Sequence, residues 1–454
     1  MTVIDRSFEE HLKVLKDNLN SNNTTRFRSE FLSLHSYEKA KLFHQLTKDE
    51  RNHVYQTLSP SELAKVIDEA EAEDDQVDDY FNEMNDNYAA NVLAEMYADN
   101  AVDVLNNLKD QTQVSTYLQM MPPQAAREIS RLLNYLDNTA GAIMTPEFIA
   151  VSQSSTVDEA YQYLKKVGRE AETIYYVYVI DAEGRLVGVL SLRDLILSED
   201  TKKIKEIMRT RVIYVNVNDD QEEVSRMVRD YNLLALPVVG FDHELLGIIT
   251  VDDVLDVIEE EAESDYSKLA AVDMSEVHES PFSAAKSRLP WLITLLFLGM
   301  GTATVISQYE SLIAEASILS AFVTLITGTA GNAGTQSLAV AVRKLTNKTE
   351  SDSLSKSVAF ELLTGFITGA VVGISVTTIV FVWQRNLLLG LIIGVAMMAA
   401  IFVANLAGAL IPKMMSKLGF DPAVASGPFI STLSDLTSVF IYFSIASLSL
   451  AYLT

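Results

Sequence analysis

The sequence predicts a multidomain membrane protein in three parts: an α-solenoid N domain, an α+β pair of repeated domains, and an all-α transmembrane domain of five helices. Three observations carry this reading. Charge is split along the chain, five long apolar stretches crowd its C-terminal part, and two different internal repeats occupy the rest. Of 454 residues, 61 are acidic and 35 basic, for a formal charge of −26. Only seven acids and nine bases lie beyond residue 280, so residues 1–280 carry −28 and the remainder +2. The absence of cysteine excludes a disulfide-built fold and any thiolate-ligated zinc or iron–sulfur site. So acidic a surface repels a phosphate backbone, which excludes nucleic acid as a partner.

Residues 1–138 read as the helical solenoid. Leu34, Leu46 and Leu58 recur at an interval of twelve, as do Glu38, Glu50 and Glu62, and later Met84, Met96, Leu108 and Met120. Thr47-x-x-Glu50 and Ser59-x-x-Glu62 are capping boxes, in which each pair satisfies free N–H groups at a helix start. Short helices at a fixed repeat stack into a solenoid. Between the two series, residues 68–79 hold eight carboxylates and read as a solvated acidic loop.

Residues 139–200 and 201–262 are copies of one unit. IMTPEFIAVSQSSTVDEAYQYL matches IMRTRVIYVNVNDDQEEVSRMV, and YVIDAEGRLVGVLSLRDLI matches PVVGFDHELLGIITVDDVL. Ile143 aligns with Ile207, Gly188 with Gly247, and Asp194 with Asp253. The duplication resembles a tandem pair of CBS domains. That family's Ser/Thr-x-x-Asp ribose pattern stands here as Ser191…Asp194 and Thr250…Asp253, a hydroxyl for phosphate and a carboxylate for ribose. A pair used only for dimerisation is the alternative. A connecting helix at 263–287 follows, with an acidic face beginning near residue 252 that includes Asp252, Asp256, Glu259, Glu260 and Glu263.

Within residues 288–454, apolar runs near 289–307, 312–342, 358–383, 387–412 and 423–453 each reach the ~20 residues a bilayer span needs. Lys286, Arg288, Arg343, Lys344, Lys348, Lys356, Lys413 and Lys417 fall in alternate loops, so the positive-inside rule puts the N-terminus in the cytoplasm and the C-terminus outside a plasma (inner) membrane. The polar first 30 residues offer no signal-peptide core, which keeps the polyanionic half cytoplasmic. Asp435 sits mid-span in TLSDLTS, where a carboxylate costs roughly 2.5–3.5 kcal/mol unless it faces a partner or water. Ser431, Ser434, Asp435 and Ser438 fall on one helical stripe, and GNAGTQS in the second run offers Asn332, Thr335 and Gln336 as neutral oxygens. No span holds a Lys or Arg to pair with Asp435, and residues 288–454 contain no His or Cys for a soft metal. Asp435, Asn332 and Ser431 therefore suit a hard, largely hydrated cation such as Mg²⁺. Glu361 and Asn405 are single polar residues in the third and fourth runs, read as interhelical contacts or ion contacts.

The order of parts, with AETIYYVYVID, TVDDVLDVIEEEA, GNAGTQS and TLSDLTS, resembles the MgtE family of magnesium channels. The resemblance implies a homodimeric Mg²⁺-selective channel whose pore is lined by the second and fifth spans and shut by a plug helix after the second CBS domain. It implies cytosolic Mg²⁺ sites at Asp99, Asp103, Glu222, Asp253, Asp256, Glu261 and Asp265, with Asp421 linking plug to pore. It also implies ATP as a regulatory ligand at Tyr176, Ser191, Arg193 and Asp194. The chain departs from the family pattern at Thr335, Gly427 and Ser264. Mg²⁺ bound to the cytosolic acids would relieve their repulsion and close the gate. A membrane-anchored sensor of nucleotide or divalent cation that does not conduct is the alternative. No catalytic motif is present, so the chain reads as no enzyme.

Overall fold

A computed structural model of the chain describes residues 3–21, 23–70, 77–271, 281–346, 354–418 and 426–449. They fall into two compact units that meet in the sequence at Glu259 and Glu260.

The first unit opens with short helices: α1 (Val3–Asn20), α2 (Thr24–Leu32), α3 (Ser36–His44), α4 (Lys48–Thr57), α5 (Pro60–Ala70), α6 (Val77–Glu83), α7 (Asp86–Glu95), α8 (Ala98–Asn107), α9 (Gln111–Met120) and α10 (Pro123–Leu132). Their starts are chemically marked. Asn23, His35, Thr47, Asn85 and Asp110 each accept a backbone N–H at an N-cap, and Ser59 with Glu62 does so reciprocally. The twelve-residue interval has a physical meaning. Leu58, Met96 and Leu108 are C-cap residues in extended conformation, each buried where one helix turns into the next. The interval slips at its last step, where Met121 is 5% exposed and Met120 46%. The linker after Leu108 holds Lys109 and Asp110, whereas the one after Met96 holds Tyr97 alone. A buried ion pair stitches α4 to α6: Arg51 Nε and Nη2 donate to Glu83 at 2.9 and 2.7 Å, and the Tyr55 hydroxyl donates to the same carboxylate at 3.0 Å.

The two copies follow. The first comprises β1 (Ala150–Ser152), α11 (Val157–Val167), β2 (Tyr176–Ile180), β3 (Leu186–Ser191) and α12 (Leu192–Leu197). The second comprises α13 (Ile204–Ile207), β4 (Val215–Asn216), α14 (Gln221–Tyr231), β5 (Ala235–Val239), β6 (Leu245–Thr250) and α15 (Val251–Ala270). Each sheet has three strands, the first pair parallel and the second antiparallel, with matching bulges at Val179/Ile180 and Val238/Val239. The copies exchange their opening segments. Thr145 of the first bridges Ile248 in β6, while Arg209 of the second bridges Val189 in β3. The aligned glycines make this possible: a methyl at Gly247 would lie 2.9 Å from Met144 Sδ, and one at Gly188 2.5 Å from Met208 Sδ.

The connecting helix differs from the 263–287 expected. It is α15, which starts at Val251 directly from β6 and ends at Ala270; a new helix, α16 (Pro281–Gln308), begins after residues outside the described set. Its early start follows from Thr250 and Asp253, whose side chains bond across the first turn.

The second unit continues with α17 (Glu310–Glu315), a 3₁₀ turn at Ser317–Phe322, α18 (Val323–Thr346), α19 (Leu354–Gln384), α20 (Leu387–Lys417) and α21 (Gly427–Leu448). The expected run at 312–342 is thus broken before Val323, because Ala316 leaves helical backbone geometry at φ −131°. Among the described residues four helices, α16, α19, α20 and α21, are long and apolar enough to cross a membrane. α20 is the core of this unit, with a buried row from Leu389 to Pro412. Glycines seat its neighbours closely: a methyl at Gly373 or Gly394 would collide with the facing backbone of α20 or α19.

Candidate ion-binding sites

Two of the sequence-predicted elements meet. GNAGTQS lies on α18 and TLSDLTS on α21, and the helices approach through glycine. A methyl at Gly331 would sit 2.9 Å from Ser431 Oγ and 3.7 Å from Asp435 Oδ1. A methyl at Gly334 would sit 3.0 Å from Ser434 Oγ. The expected hydroxyl stripe is therefore divided: Ser431 and Asp435 are half-buried along the α18 edge, while Ser434 and Ser438 are buried with no hydrogen-bond partner for their hydroxyls. Asn332, next to Gly331, is exposed on its own chain. Among the described residues no hydrogen bond or ion pair engages Asp435. The Gly331 backbone and the Ser431 hydroxyl lie on the same side as its carboxylate, and oxygen donors of this kind suit a hard cation better than a soft one.

The end of α15 packs here as well. Leu269 lies against Leu338, Val342 and Ile430 of α18 and α21, and its carbonyl stands 3.5 Å from a methyl placed on Gly427. Glu261 and Asp265 are half-buried on this stretch of α15. Asp421 lies outside the described residues.

In the first unit, the acids expected as cytosolic sites separate into groups. Asp99, only 8% exposed, is pushed well up by burial and then by the charges of Asp253, Glu147 and Glu172. Burial together with Asp253, Asp252, Asp68 and Glu147 pushes Glu172 up to about 8. Burial also pushes Asp68 up to about 7, although the Asn100 amide and the Tyr97 N–H bond it at 3.3 Å. Glu147 is raised by burial despite a 2.6 Å bond from Thr145, and Asp253 is raised by burial despite its bonds from Thr250. These five carboxyls come from α5 (Asp68), α8 (Asp99), the first repeat copy (Glu147 and Glu172) and the start of α15 in the second (Asp253). Of them only Asp99 and Asp253 were expected as ligands; Asp68 begins the acidic run, Glu147 lies in the repeat segment IMTPEFIAV and Glu172 in AETIYYVYVID, but none of the three stands out there as an ion ligand. Among the described residues no three acids converge closely enough to ligate one ion as they stand. The group is a like-charged neighbourhood, raised in energy by its own repulsion. Asp103 and Asp256 are exposed, and Glu222 is held by Arg226 at 2.6 Å.

The nucleotide candidates lie in the first copy, at the start of β2, the end of β3 and the start of α12. Ser191 Oγ donates to Asp194 at 2.8 Å and accepts from the Asp194 N–H at 3.2 Å, so the expected ribose pattern is also the capping box of α12. The Ser191 hydroxyl bond, aided by the charges of Arg209 and Arg193, holds Asp194 below the usual carboxylate range. Tyr176 is half-buried at the start of β2 and Arg193 is exposed. Arg209, delivered by the exchanged segment, was not foreseen.

A helical module and a duplicated domain ahead of apolar helices, with a carboxylate on one of those helices, are the arrangement in which the divalent cation transporter class is matched. The family signature described as a divalent cation transporter matches residues 323–445, the MgtE intracellular N domain matches 34–138, and the CBS domain matches 140–199 and 204–260. The magnesium transporter MgtE of Enterococcus faecalis is 56% identical, across 98% of this chain and 99% of that protein. Its namesake from Thermus thermophilus is 35% identical across 97% and 99%. The crystal structure of the soluble part of a magnesium transporter matches at 49% identity and a TM-score of 0.55, covering 56% of this chain and 99% of that one. The cytosolic domain of the Mg²⁺ channel MgtE in complex with ATP matches at 34% and 0.51, covering 54% and 99%. The chain belongs to the MgtE family. Its full-length relatives are named as transporters, and it is a membrane protein of that kind rather than an enzyme.

Proposed function

We propose that this protein is a Mg²⁺-selective channel for magnesium uptake across the plasma membrane, closed by Mg²⁺ on its cytosolic side. Five helices cross the bilayer in this reading, α18 joining the four apolar ones. Its 24 residues span ~36 Å, and its polar residues would line a pathway rather than meet lipid. The N-terminal solenoid (1–138) and the repeats (139–200 and 201–262) are cytoplasmic, the last residues of the second already forming the plug helix, and the C-terminus lies outside. The protein is a homodimer: a second copy would enclose Asn332 and Asp435, which a single chain leaves open on a membrane helix. The observation that carries the proposal is Asp435, unpaired among the described residues and facing Gly331 beside Ser431. It would hold the ion with much of its water, Asn332 and Ser431 bonding that water.

Mg²⁺ entering the acidic neighbourhood of Asp99 and Asp253 favours the compact, closed arrangement by its higher affinity for it. Asp103, Glu222, Asp256, Glu261, Asp265 and Asp421 are further ligands in the proposal, and Leu269 of α15 supports its end as the plug. ATP binds the other copy at Tyr176, Ser191, Arg193 and Asp194, as a regulator. The membrane potential drives entry, worth about 4.6 kcal/mol per 100 mV for a divalent ion.

Mg²⁺ influx into proteoliposomes tests the pore. The wild type conducts and Asp435→Ala does not; equal flux would remove Asp435 from the pathway. Absence of wild-type flux at low internal Mg²⁺ would favour the non-conducting sensor.

A further inference from the structure

We infer that Ser337, Glu361 and Asn405 form a polar clasp behind the pathway, which fixes the rotation of α18 and thereby keeps Asn332 turned toward the ion. The inference rests on the pore reading above. The Ser337 hydroxyl on α18 lies 3.3 Å from Glu361 Oε2 on α19 and 2.9 Å from the Asn405 carbonyl on α20. The Asn405 amide donates in turn to the Thr368 hydroxyl of α19 at 3.4 Å. Ser337, Glu361 and Asn405 are 5%, 7% and 6% exposed. One serine thus links three helices at a place where they approach closely. A methyl at Gly408 would strike the Gly334 carbonyl and lie 3.1 Å from Ser337 Cβ, and one at Gly365 would lie 3.2 Å from Asn405 Cβ.

The clasp answers a mechanical need. The α18 face toward α20 and α21 carries Gly331 and Gly334, which allow close approach but offer no knob to resist rotation. Ser337 is five residues beyond Asn332, roughly 140° around the helix axis, so a bond holding one side to α19 and α20 turns the other away from them. Glu361 binds no ion in this account. It is a positioning residue.

The chain has no cysteine, so Asn332→Cys is a background-free probe. In proteoliposomes, a water-soluble thiol reagent reads exposure of position 332 and its protection by Mg²⁺, while flux is measured with Asn332 intact. Ser337→Ala and Glu361→Ala are expected to lower Mg²⁺ flux roughly three- to tenfold, the range an intramembrane hydrogen bond supports, and to abolish Mg²⁺ protection at 332. Glu361→Gln, which keeps a partner for Ser337, restores both. Folded Ser337→Ala or Glu361→Ala protein with wild-type flux and protection overturns the clasp, as does Glu361→Gln behaving like Glu361→Ala. If Glu361→Ala does not fold, Ser337→Ala, which removes one oxygen, decides alone. Failure of the pore reading looks different: Asp435→Ala conducts, and Mg²⁺ does not protect position 332 in an otherwise unaltered chain.

Discussion

The two copies of the repeated domain share one local structure and hold opposite surroundings. In each, the last strand ends in a hydroxyl whose side chain bonds an aspartate three residues on, and a helix starts there. Around Asp194 stand Arg193 and Arg209, and the carboxyl is held low. Around Asp253 stand Asp252 and Asp256, with Asp99 and Glu172 coupled to it, and the carboxyl is raised. Sequence similarity between the copies therefore reports geometry. Chemistry is set by what other elements bring to the motif: an arginine from the exchanged segment in one copy, and α8 with its Asp99 in the other. The first suits an anion such as a nucleotide phosphate, the second a divalent cation.

The shared geometry breaks first at the aligned glycines. Gly188→Val and Gly247→Val should each destabilise the protein by about 1–3 kcal/mol through overpacking against Met208 and Met144. Thermal unfolding of the full chain in detergent reads this, and similar losses at both sites are expected. The electrostatic contrast comes next. Asp253→Asn should weaken Mg²⁺ binding to the purified protein roughly tenfold, about 1.4 kcal/mol, whereas Asp194→Asn should leave it unchanged and weaken ATP instead. Calorimetric titration with each ligand distinguishes the two.

Acidity sharpens the comparison further. Glu172 and Asp68, raised to about 8 and 7, hold protons in the folded protein that the unfolded chain has already released. Without Mg²⁺, stability therefore falls as pH rises from the unfolded carboxylate range toward about 8. Mg²⁺ affinity rises over the upper part of that window, because fewer protons must be displaced. A several-fold gain from about pH 6 to about pH 8 is expected, accompanied by proton release in the calorimeter. The smallest effects belong to the caps: Ser191→Ala and Thr250→Ala should each cost about 1 kcal/mol.

What the sequence made legible was local. Thr47 with Glu50 and Ser59 with Glu62 cap helices as their spacing predicts, and the twelve-residue interval marks buried helix ends until a longer linker shifts Met120 out and Met121 in. The match of Gly188 with Gly247 was visible; its cause, a methionine crossing from the opposite copy, was not, because exchange leaves no trace in a self-comparison. Glu147 and Glu172 went unassigned for a different physical reason. They sit in loops without periodicity, and only the packing of α5, α8 and α15 collects them. Glu361 and Asn405 read as isolated polar residues until Ser337 joined them. The helix start at Val251 was written in Thr250 and Asp253, yet that pair was read as a ligand pattern, and the same atoms serve as a cap.

The proposed feedback runs through Asp253 and the acids around it. The most direct test is Mg²⁺ influx into proteoliposomes as internal Mg²⁺ is raised, comparing wild type, Asp253→Asn and Asp194→Asn. Wild type and Asp194→Asn should close over the same range of internal Mg²⁺, and Asp253→Asn should stay open to roughly tenfold higher concentration. Identical closure in all three would contradict the account.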